Sequence, residues 1–243
     1  MAQNPAYQTE VPKIVLGVAA HPDDLDFGAA GTIAYWASRG ARVYYLILTN
    51  GNKGSEDLSA KPEDLTELRR NEQRAAAKIL GVADVFFCDY EDGCLMVSMD
   101  VKRDIARVIR KVRPDTVITM DPGMLYDVER GFINHPDHRA AGQATLDALY
   151  PLARDHMSFP ELFHNEGLAP HKVATVLLTN FQQQNCYIDI SDTFDKKIQA
   201  LAAHASQIPG LPTVEQMMRD FAGRLGQDVG VRYAEGFIRI DIH

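Results

Sequence analysis

An α/β domain of three layers, Rossmann-like and with a mostly parallel sheet, is the fold that this sequence predicts. Short apolar runs rich in β-branched residues alternate with stretches of helical spacing, and parallel neighbours in a sheet require such crossovers, which are nearly always right-handed. The 243 residues suffice for one large domain, and no repeat, low-complexity tract or linker divides them, so a single domain over residues 1–243 is expected. A composition of 46% hydrophobic and 24% charged residues is that of an ordinary globular protein.

The first strand is Lys13–Ala20 (KIVLGVAA), an apolar run suited to burial on both faces. A loop at His21 leads into a helix over Asp26–Gly40, where Ala29, Ala30, Ile33, Ala34, Trp36 and Ala37 recur at helical spacing and Gly40 stands at the C-cap. Arg42–Leu48 is the second strand. Thr49–Leu65, punctuated by Gly51, Gly54 and Pro62, is polar and too long for an idle turn, which marks it as a candidate active-site loop. A helix over Thr66–Leu80 stops at Gly81, and Asp84–Cys88 forms the third strand. An amphipathic helix over Asp100–Val112 and a fourth strand over Thr116–Met120 follow. Beyond them the spacing predicts a helix over Asp137–Leu149, strands over Lys172–Leu178 and Cys186–Ile190, and helices over Ser191–Ser206 and Val214–Leu225, with Pro151–Pro170 as an irregular excursion. Ligands of open α/β sheets collect beyond the carboxyl ends of the strands. The loops that open at His21, Thr49, Asp89 and Asp121 are therefore where chemistry is expected.

Charge and cysteine content narrow the function. With 25 basic and 33 acidic residues the formal charge is −8, which argues against nucleic acid or an anionic membrane surface as the main partner and favours a small or uncharged substrate. No segment approaches the ~18 apolar residues of a membrane span, and the opening MAQNPAYQTEVPK lacks the basic and apolar parts of a leader, so a cytoplasmic location is expected. Cys88, Cys94 and Cys186 are an odd count with no CxxC pair. They read as small hydrophobes in a reducing compartment. Gly28-Ala29-Ala30-Gly31 lacks the GxGxxG order of a dinucleotide loop, and no GxxxxGK[ST] is present.

Two motifs carry chemistry. His21-Pro22-Asp23-Asp24 follows the first strand, and His135-Pro136-Asp137-His138 opens the helix near Asp137. Imidazoles and a carboxylate suit a divalent ion such as zinc, which in catalytic sites commonly takes three protein ligands and keeps a position for water. His21 and Asp24 can turn toward one ion while Asp23 points elsewhere, as a general base must. Of His135 and His138, one can close the ligand set, and the other can face the developing oxyanion or the leaving amine as a cationic donor. Against this stands a plainer reading, in which Asp23, Asp24 and Asp137 are helix N-caps and the histidines are hydrogen-bonded loop residues. Both motifs lie on loops at one sheet edge, which favours the joint reading.

AHPDD after the first strand, LTNG after the second, LRRNEQRAAAKILGV on the following helix, DYEDG after the third strand, HPDHRAAG and the late HASQ together resemble the LmbE-like, PIG-L-type zinc-dependent N-acetylglucosaminyl deacetylases. The resemblance runs in order from about Ile14 to Gln207. It implies zinc ligands at His21, Asp24 and His138, a general base at Asp23 and an assisting histidine at His135. It also implies substrate contacts from Arg69 and Asp92, whose plainer alternatives are an i, i+3 pair of Arg69 with Glu72 on a solvated helix face and an ordinary Asp92-Gly93 turn. His204 of HASQ is expected to support the site from beneath. Two positions depart from the family pattern: Ile133 stands where some members place an oxyanion-stabilising tyrosine, leaving that role to His135, the metal or a loop tyrosine such as Tyr126, and Asn52 stands where an acidic residue is common.

The expected activity is hydrolytic removal of acetate from a small N-acetylglucosamine conjugate, with Zn2+ as cofactor and Fe2+ as the alternative metal. Alternatives are an amidase acting on a thiol-conjugated glucosaminyl compound and a non-hydrolytic sugar or nucleotide binder of the same fold. A homo-oligomer is left open.

Overall fold

Residues 6–7, 10–128 and 131–243 are described in the computed structural model of the chain. Among them the first half runs β1 (Ala6–Tyr7), β2 (Ile14–Ala19), α1 (Asp24–Ser38), β3 (Arg42–Thr49), α2 (Pro62–Leu80), β4 (Asp84–Tyr90), α3 (Met99–Val112) and β5 (Thr116–Met120). A two-stranded ribbon of β6 (Tyr126–Asp127) and β7 (Phe132–Ile133) precedes α4 (Pro136–Asp147) and α5 (Pro160–His164). The chain ends with β8 (Thr175–Thr179), β9 (Cys186–Asp189), α6 (Phe194–Ala202), α7 (Leu211–Val229) and β10 (Ala234–Asp241).

Eight strands form one sheet in the order β1-β9-β10-β8-β5-β2-β3-β4. The pairs β1/β9, β8/β5, β5/β2, β2/β3 and β3/β4 are parallel, and β10 lies antiparallel between β8 and β9. The first and last strands of the described residues thus share one sheet. Along β2, side chains alternate between two cores. Val15 and Ala19 join Ile33 and Trp36 of α1, whereas Leu16 and Val18 join Ile105 and Ile109 of α3 and Ala141 of α4. The close fit requires glycine at two points. A Cβ on Gly17 would meet Leu25 Cδ1 at 2.7 Å, and one on Gly142 would meet the Met120 carbonyl oxygen at 2.2 Å.

The order of strands matters for function. From β2 the chain moves outward through β3 to β4 and then returns to place β5 on the other side of β2. This is a topological switch point, and a crevice opens beyond the carboxyl ends of the two strands. His21 lies just past the end of β2, and Asp121 just past the end of β5.

Several boundaries differ from expectation. Helix α1 begins at Asp24 rather than Asp26, and α2 begins at Pro62 rather than Thr66, because Pro62 is pre-organised for a first helical position and Glu63 and Asp64 complement the helix dipole. The irregular stretch after α4 carries α5 and is pinned by the buried Arg110, whose guanidinium donates to the carbonyl oxygens of Leu152, Ala153, Asp155, Ser158 and Phe159. Helix α6 is shorter than expected and α7 longer. No described helix is long and apolar enough to cross a membrane.

Candidate metal centre and active site

The site is assembled by the switch-point loops. His21 leaves β2, and its backbone N–H donates to Asp24 Oδ2 at 2.7 Å, closing the tight turn that starts α1. Within this turn Asp23 adopts φ 95°, ψ −32°, a conformation that costs a non-glycine residue of order 1–3 kcal/mol and persists only where neighbours enforce it. They do. The Asp23 N–H donates to Gln73 Oε1 of α2 at 2.8 Å, and its carbonyl accepts from Asp26 and Phe27 at 2.8 and 3.0 Å. The turn divides the adjacent carboxylates, as the His-Pro-Asp-Asp spacing suggested.

Asp24 reaches both histidine-bearing segments: its Oδ2 lies 3.5 Å from His21 Nδ1 and its Oδ1 lies 3.0 Å from His138 Nε2. His21, His135 and His138 each offer a ring nitrogen within 4.8 Å of one another, and His21, Asp92 and Asp137 form a second such triple. Asp24 thus bridges His21 and His138, the two histidines expected as ligands, whereas His135, expected outside the ligand set, is itself a member of the first triple and Asp92 of the second. Asp23 stands aside from both triples, with Oδ2 3.4 Å from Arg69 Nη2.

The surrounding hydrogen bonds orient the donors. His138 Nδ1 faces Asn134 Oδ1 at 3.2 Å, and Asn134 is itself fixed by donating from Nδ2 to the Met124 carbonyl at 2.7 Å. Donation from Nδ1 leaves the Nε2 lone pair toward the cluster. Asp137 is fully buried; its Oδ2 accepts from the Gly93 N–H at 2.7 Å and lies 3.3 Å from His21 Nε2, while its Oδ1 accepts from Leu95 N–H at 3.1 Å. It therefore ties the Asp92-Gly93 loop to His21. Neither Asn134 nor this role of Asp137 was anticipated: the partners of Asp137 are distant in sequence, and Asn134 carried no signal beyond its place four residues before His138 in the NHPDH run.

Arg69 and Asp92 are not surface features. Arg69 is 5% exposed, and its guanidinium donates to the carbonyls of Pro22, Gly51 and Lys53 at 3.0, 3.2 and 3.3 Å. Glu72 instead accepts from the backbone and hydroxyl of Ser206 at 2.8 and 2.7 Å, so the i, i+3 pair does not form. Asp92 places Oδ1 3.2 Å from His21 Nε2 and Oδ2 3.6 Å from Arg69 Nη1. Arg69 thus holds three loops together, and Asp92 faces the centre. His204, fully buried, meets Asp26 Oδ2 at 2.7 Å, and Asp26 also accepts from Gln73 Nε2 at 2.9 Å and the Tyr45 hydroxyl at 3.1 Å. A continuous chain runs from His204 through Asp26 and Gln73 to the backbone of Asp23. Tyr126 is exposed and pairs across the ribbon with Ile133.

Electrostatics agree with a cation site. Burial alone would keep His21 neutral, yet Asp24, Asp137 and Asp92 push its pKa up to about 12. Burial would likewise raise Asp24, but His138 and His21 hold it well below the carboxylate range. A proton on His21 is thus the charge that balances three carboxylates. Imidazole nitrogens with carboxylate oxygens suit a borderline divalent ion, which would supply that charge itself, so the residues present fit a metal. Asp23 is raised above the ordinary carboxylate range by burial and by the charge of Asp24, with Arg69 opposing. For His135, burial and the neighbouring His21 and His138 lower the pKa, and its Nδ1 accepts from the Asp137 N–H at 3.2 Å. This arrangement favours a neutral ring with Nε2–H as donor over the expected cation, because a proton on Nδ1 would compete with the Asp137 N–H that caps α4.

Residues 16–149 match the PIG-L family, described as GlcNAc-PI de-N-acetylase. The chain is 34% identical to diacetylchitobiose deacetylase of Thermococcus kodakarensis, over 92% of this chain and 82% of that protein. It is 29% identical to a probable N-acetyl-alpha-D-glucosaminyl L-malate deacetylase 2 of Bacillus anthracis, over 79% of this chain and 80% of the relative. In structure it resembles N,N'-diacetylchitobiose deacetylase from Pyrococcus horikoshii, with TM-score 0.87 and 31% identity over 95% of this chain and 84% of that one.

Proposed function

The chain belongs to the PIG-L family, and from that premise we propose that it is a zinc-dependent, cytoplasmic N-deacetylase acting on a small compound that contains N-acetylglucosamine. One observation carries this reading: Asp23, half-buried and held at positive φ, lies beside the cluster that Asp24 makes with His21 and His138 without belonging to it. A non-hydrolytic binder has no use for a strained carboxylate there, and the relatives do not favour the amidase alternative.

His21, Asp24 and His138 would hold the ion, which when bound supplies Lewis acidity to a nucleophilic water and to the acyl oxygen. Asp23 accepts the proton of the attacking water as the C–O bond forms. Its raised pKa brings it closer to neutrality, where a group that must both take and return a proton works best. His135 donates from Nε2–H to the oxygen that gains charge. When the C–N bond breaks, Asp23 passes its proton to the leaving nitrogen, giving acetate and the free amine. Arg69 and Asp92, both buried, contribute by holding the loops and the face of the centre against which the sugar sits.

Released acetate tests the reading directly. Zinc-loaded protein incubated with N,N'-diacetylchitobiose and with other N-acetylglucosamine conjugates should liberate acetate and one equivalent of amine, and the Asp23→Asn variant should not. Protein that carries a full equivalent of zinc and releases acetate from none of them would overturn it.

A further inference from the structure

A cavity of about 1090 Å³ starts at Asp24 and His138 and runs away from Asp23, Arg69 and Asp92, none of which borders it. Its size reaches the top of the roughly 300–1,000 Å³ that accommodate drug-sized ligands, far more than an acetyl group requires. Its wall is built from Met124 and Phe132 of the ribbon segment, Phe181 beyond β8, and Met217 and Phe221 of α7. Phe181 and Phe221 meet edge to face with ring centroids 5.5 Å apart, making a continuous aromatic surface. Phe132 and Met217 remain 41% and 51% exposed, so the apolar wall continues to the mouth.

Several of the polar groups nearest the aromatic part of this wall are engaged within the protein, while Asp127, Thr213 and Arg224 also border the cavity. Gln216 Nε2 donates to Asp220 Oδ1 at 2.8 Å, Asn134 Nδ2 donates to the Met124 carbonyl, and Asp121 accepts from Gly123 N–H and from Asn180 Nδ2. A second sugar pressed against the Phe132, Phe181, Phe221 and Met217 side would lose hydration of the hydroxyls facing it without regaining hydrogen bonds there, at a cost of roughly 1–3 kcal/mol for each. Alkyl or aromatic groups carry no such penalty, and methionines adapt to either.

We propose, resting on the deacetylase reading, that the substrate carries an apolar aglycone, alkyl or aromatic, which lies along the Phe132–Phe181–Phe221–Met217 wall while the acetamido group meets the metal centre. The cavity leaves room for the aglycone rather than for a longer acyl chain, since acetate is the group removed.

The test compares ligands that share one sugar. Binding of the methyl and hexyl β-glycosides of N-acetylglucosamine to Asp23→Asn protein is measured by calorimetry, alongside N,N'-diacetylchitobiose and the methyl glycoside of N-hexanoylglucosamine. A fully buried methylene is worth about fourfold in affinity. The hexyl glycoside should therefore bind at least tenfold more tightly than the methyl glycoside with only two carbons buried, and Met217→Ser, at a half-exposed position, should shrink that ratio. A ratio near one, tighter binding of diacetylchitobiose than of the hexyl glycoside, or a gain confined to the N-hexanoyl sugar would each overturn the proposal. Acetate release by wild-type protein is recorded on the N-acetyl ligands alone: its failure on all of them would overturn the deacetylase reading, whereas the binding ratio alone decides the aglycone.

Discussion

Gln73 is the point at which catalysis and stability can be pulled apart. Fully buried on α2, it accepts from the Asp23 N–H at 2.8 Å and donates to the Asp26 carboxylate at 2.9 Å. Gln73→Met keeps nearly the same shape and removes both bonds. Stranding the buried Asp23 amide costs about 1–3 kcal/mol, and loss of the charge-assisted bond to Asp26 about 1.5–3 kcal/mol. Asp26 keeps the Tyr45 hydroxyl and His204, which limits the total to about 3–5 kcal/mol, or a fall in Tm on the order of 10 °C for a chain of this size. Released from its pin, Asp23 can leave the left-handed region, and an ångström of misplacement lowers kcat about 10²-fold. Gln73→Glu separates the two effects. It restores the acceptor for Asp23 but sets a carboxylate against Asp26, so kcat should recover and stability should not. Urea unfolding, acetate release and zinc content are the assays. Gln73→Met with full kcat and stability within about 0.5 kcal/mol of wild type would refute the reasoning.

His21→Ala, Asp24→Ala and His138→Ala should each strip the metal, while Asn134→Ala should weaken affinity about 10–100-fold without abolishing it; elemental analysis showing a full, tightly held equivalent in His138→Ala would displace that residue from the ligand set. Asp23→Asn should keep zinc and lose about 10²–10⁴ in kcat, whereas Asp23→Gly, inactive as well, should unfold later by about 1 kcal/mol as backbone strain is relieved. A glycine variant no more stable than Asp23→Asn would argue that the turn is unstrained. His135→Ala should retain metal and lose about 10²–10³ in kcat, with the alkaline limb of the pH profile left in place because the ring acts uncharged; disappearance of that limb would restore the cationic form. His204 sits in a buried pair, where burial would lower its pKa but the bond and charge of Asp26, aided by Asp23 and Glu72, raise it. Its stabilisation is complete below the unfolded value of about 6.5 and fades as pH rises through the folded value. Urea midpoints of His204→Gln should therefore fall less with rising pH than those of wild type, and parallel curves would sink this assignment.

Part of the candidate site was legible because its residues sit on two short motifs: the spacing of residues 21–24 lets Asp23 and Asp24 turn to different sides, whereas only the family resemblance distinguished His138 from His135. The alternation of strand and helix likewise pointed to the loops beyond the carboxyl ends of the strands, at His21, Thr49, Asp89 and Asp121. What escaped notice depends on distant partners. Strand β10 carries Gly236, where a Cβ would meet Gln184 Cγ at 2.7 Å, and the buried Glu235, which is paired with Lys197 at 2.6 Å. These two residues interrupt the apolar pattern that would announce a strand. Pro62 was read as punctuation of a loop although, followed by Glu63 and Asp64, it is a helix start. The β6/β7 ribbon is two residues on each side, too short for any period to show. Arg69 and Glu72 looked like neighbours on an exposed helix because only the folded chain brings Gly51, Pro22 and Ser206 to them.

The direction of the cavity divides the chain in another sense. Every residue assigned to the reaction precedes Arg139, within the stretch 16–149 shared with the family, as do Met124 and Phe132 of the wall, whereas Phe181, Met217 and Phe221 arrive later, on segments that bear no reacting group. The chemistry and the larger part of the wall are thus physically separable, and a crossover in the connection before β8 would exchange the Phe181, Met217 and Phe221 side while keeping Phe132. The seam for such a recombinant is set by the β5/β8 register, Thr116 opposite Thr175 through Met120 opposite Thr179. Buried ties must travel across it intact, among them His204 to Asp26, Glu235 to the backbone of Gly31 and Thr32, Thr193 to the Gly31 carbonyl and Lys197 to the Phe27 carbonyl. A donor segment that matches the register and these ties can bring a new preference without disturbing the turn at Asp23.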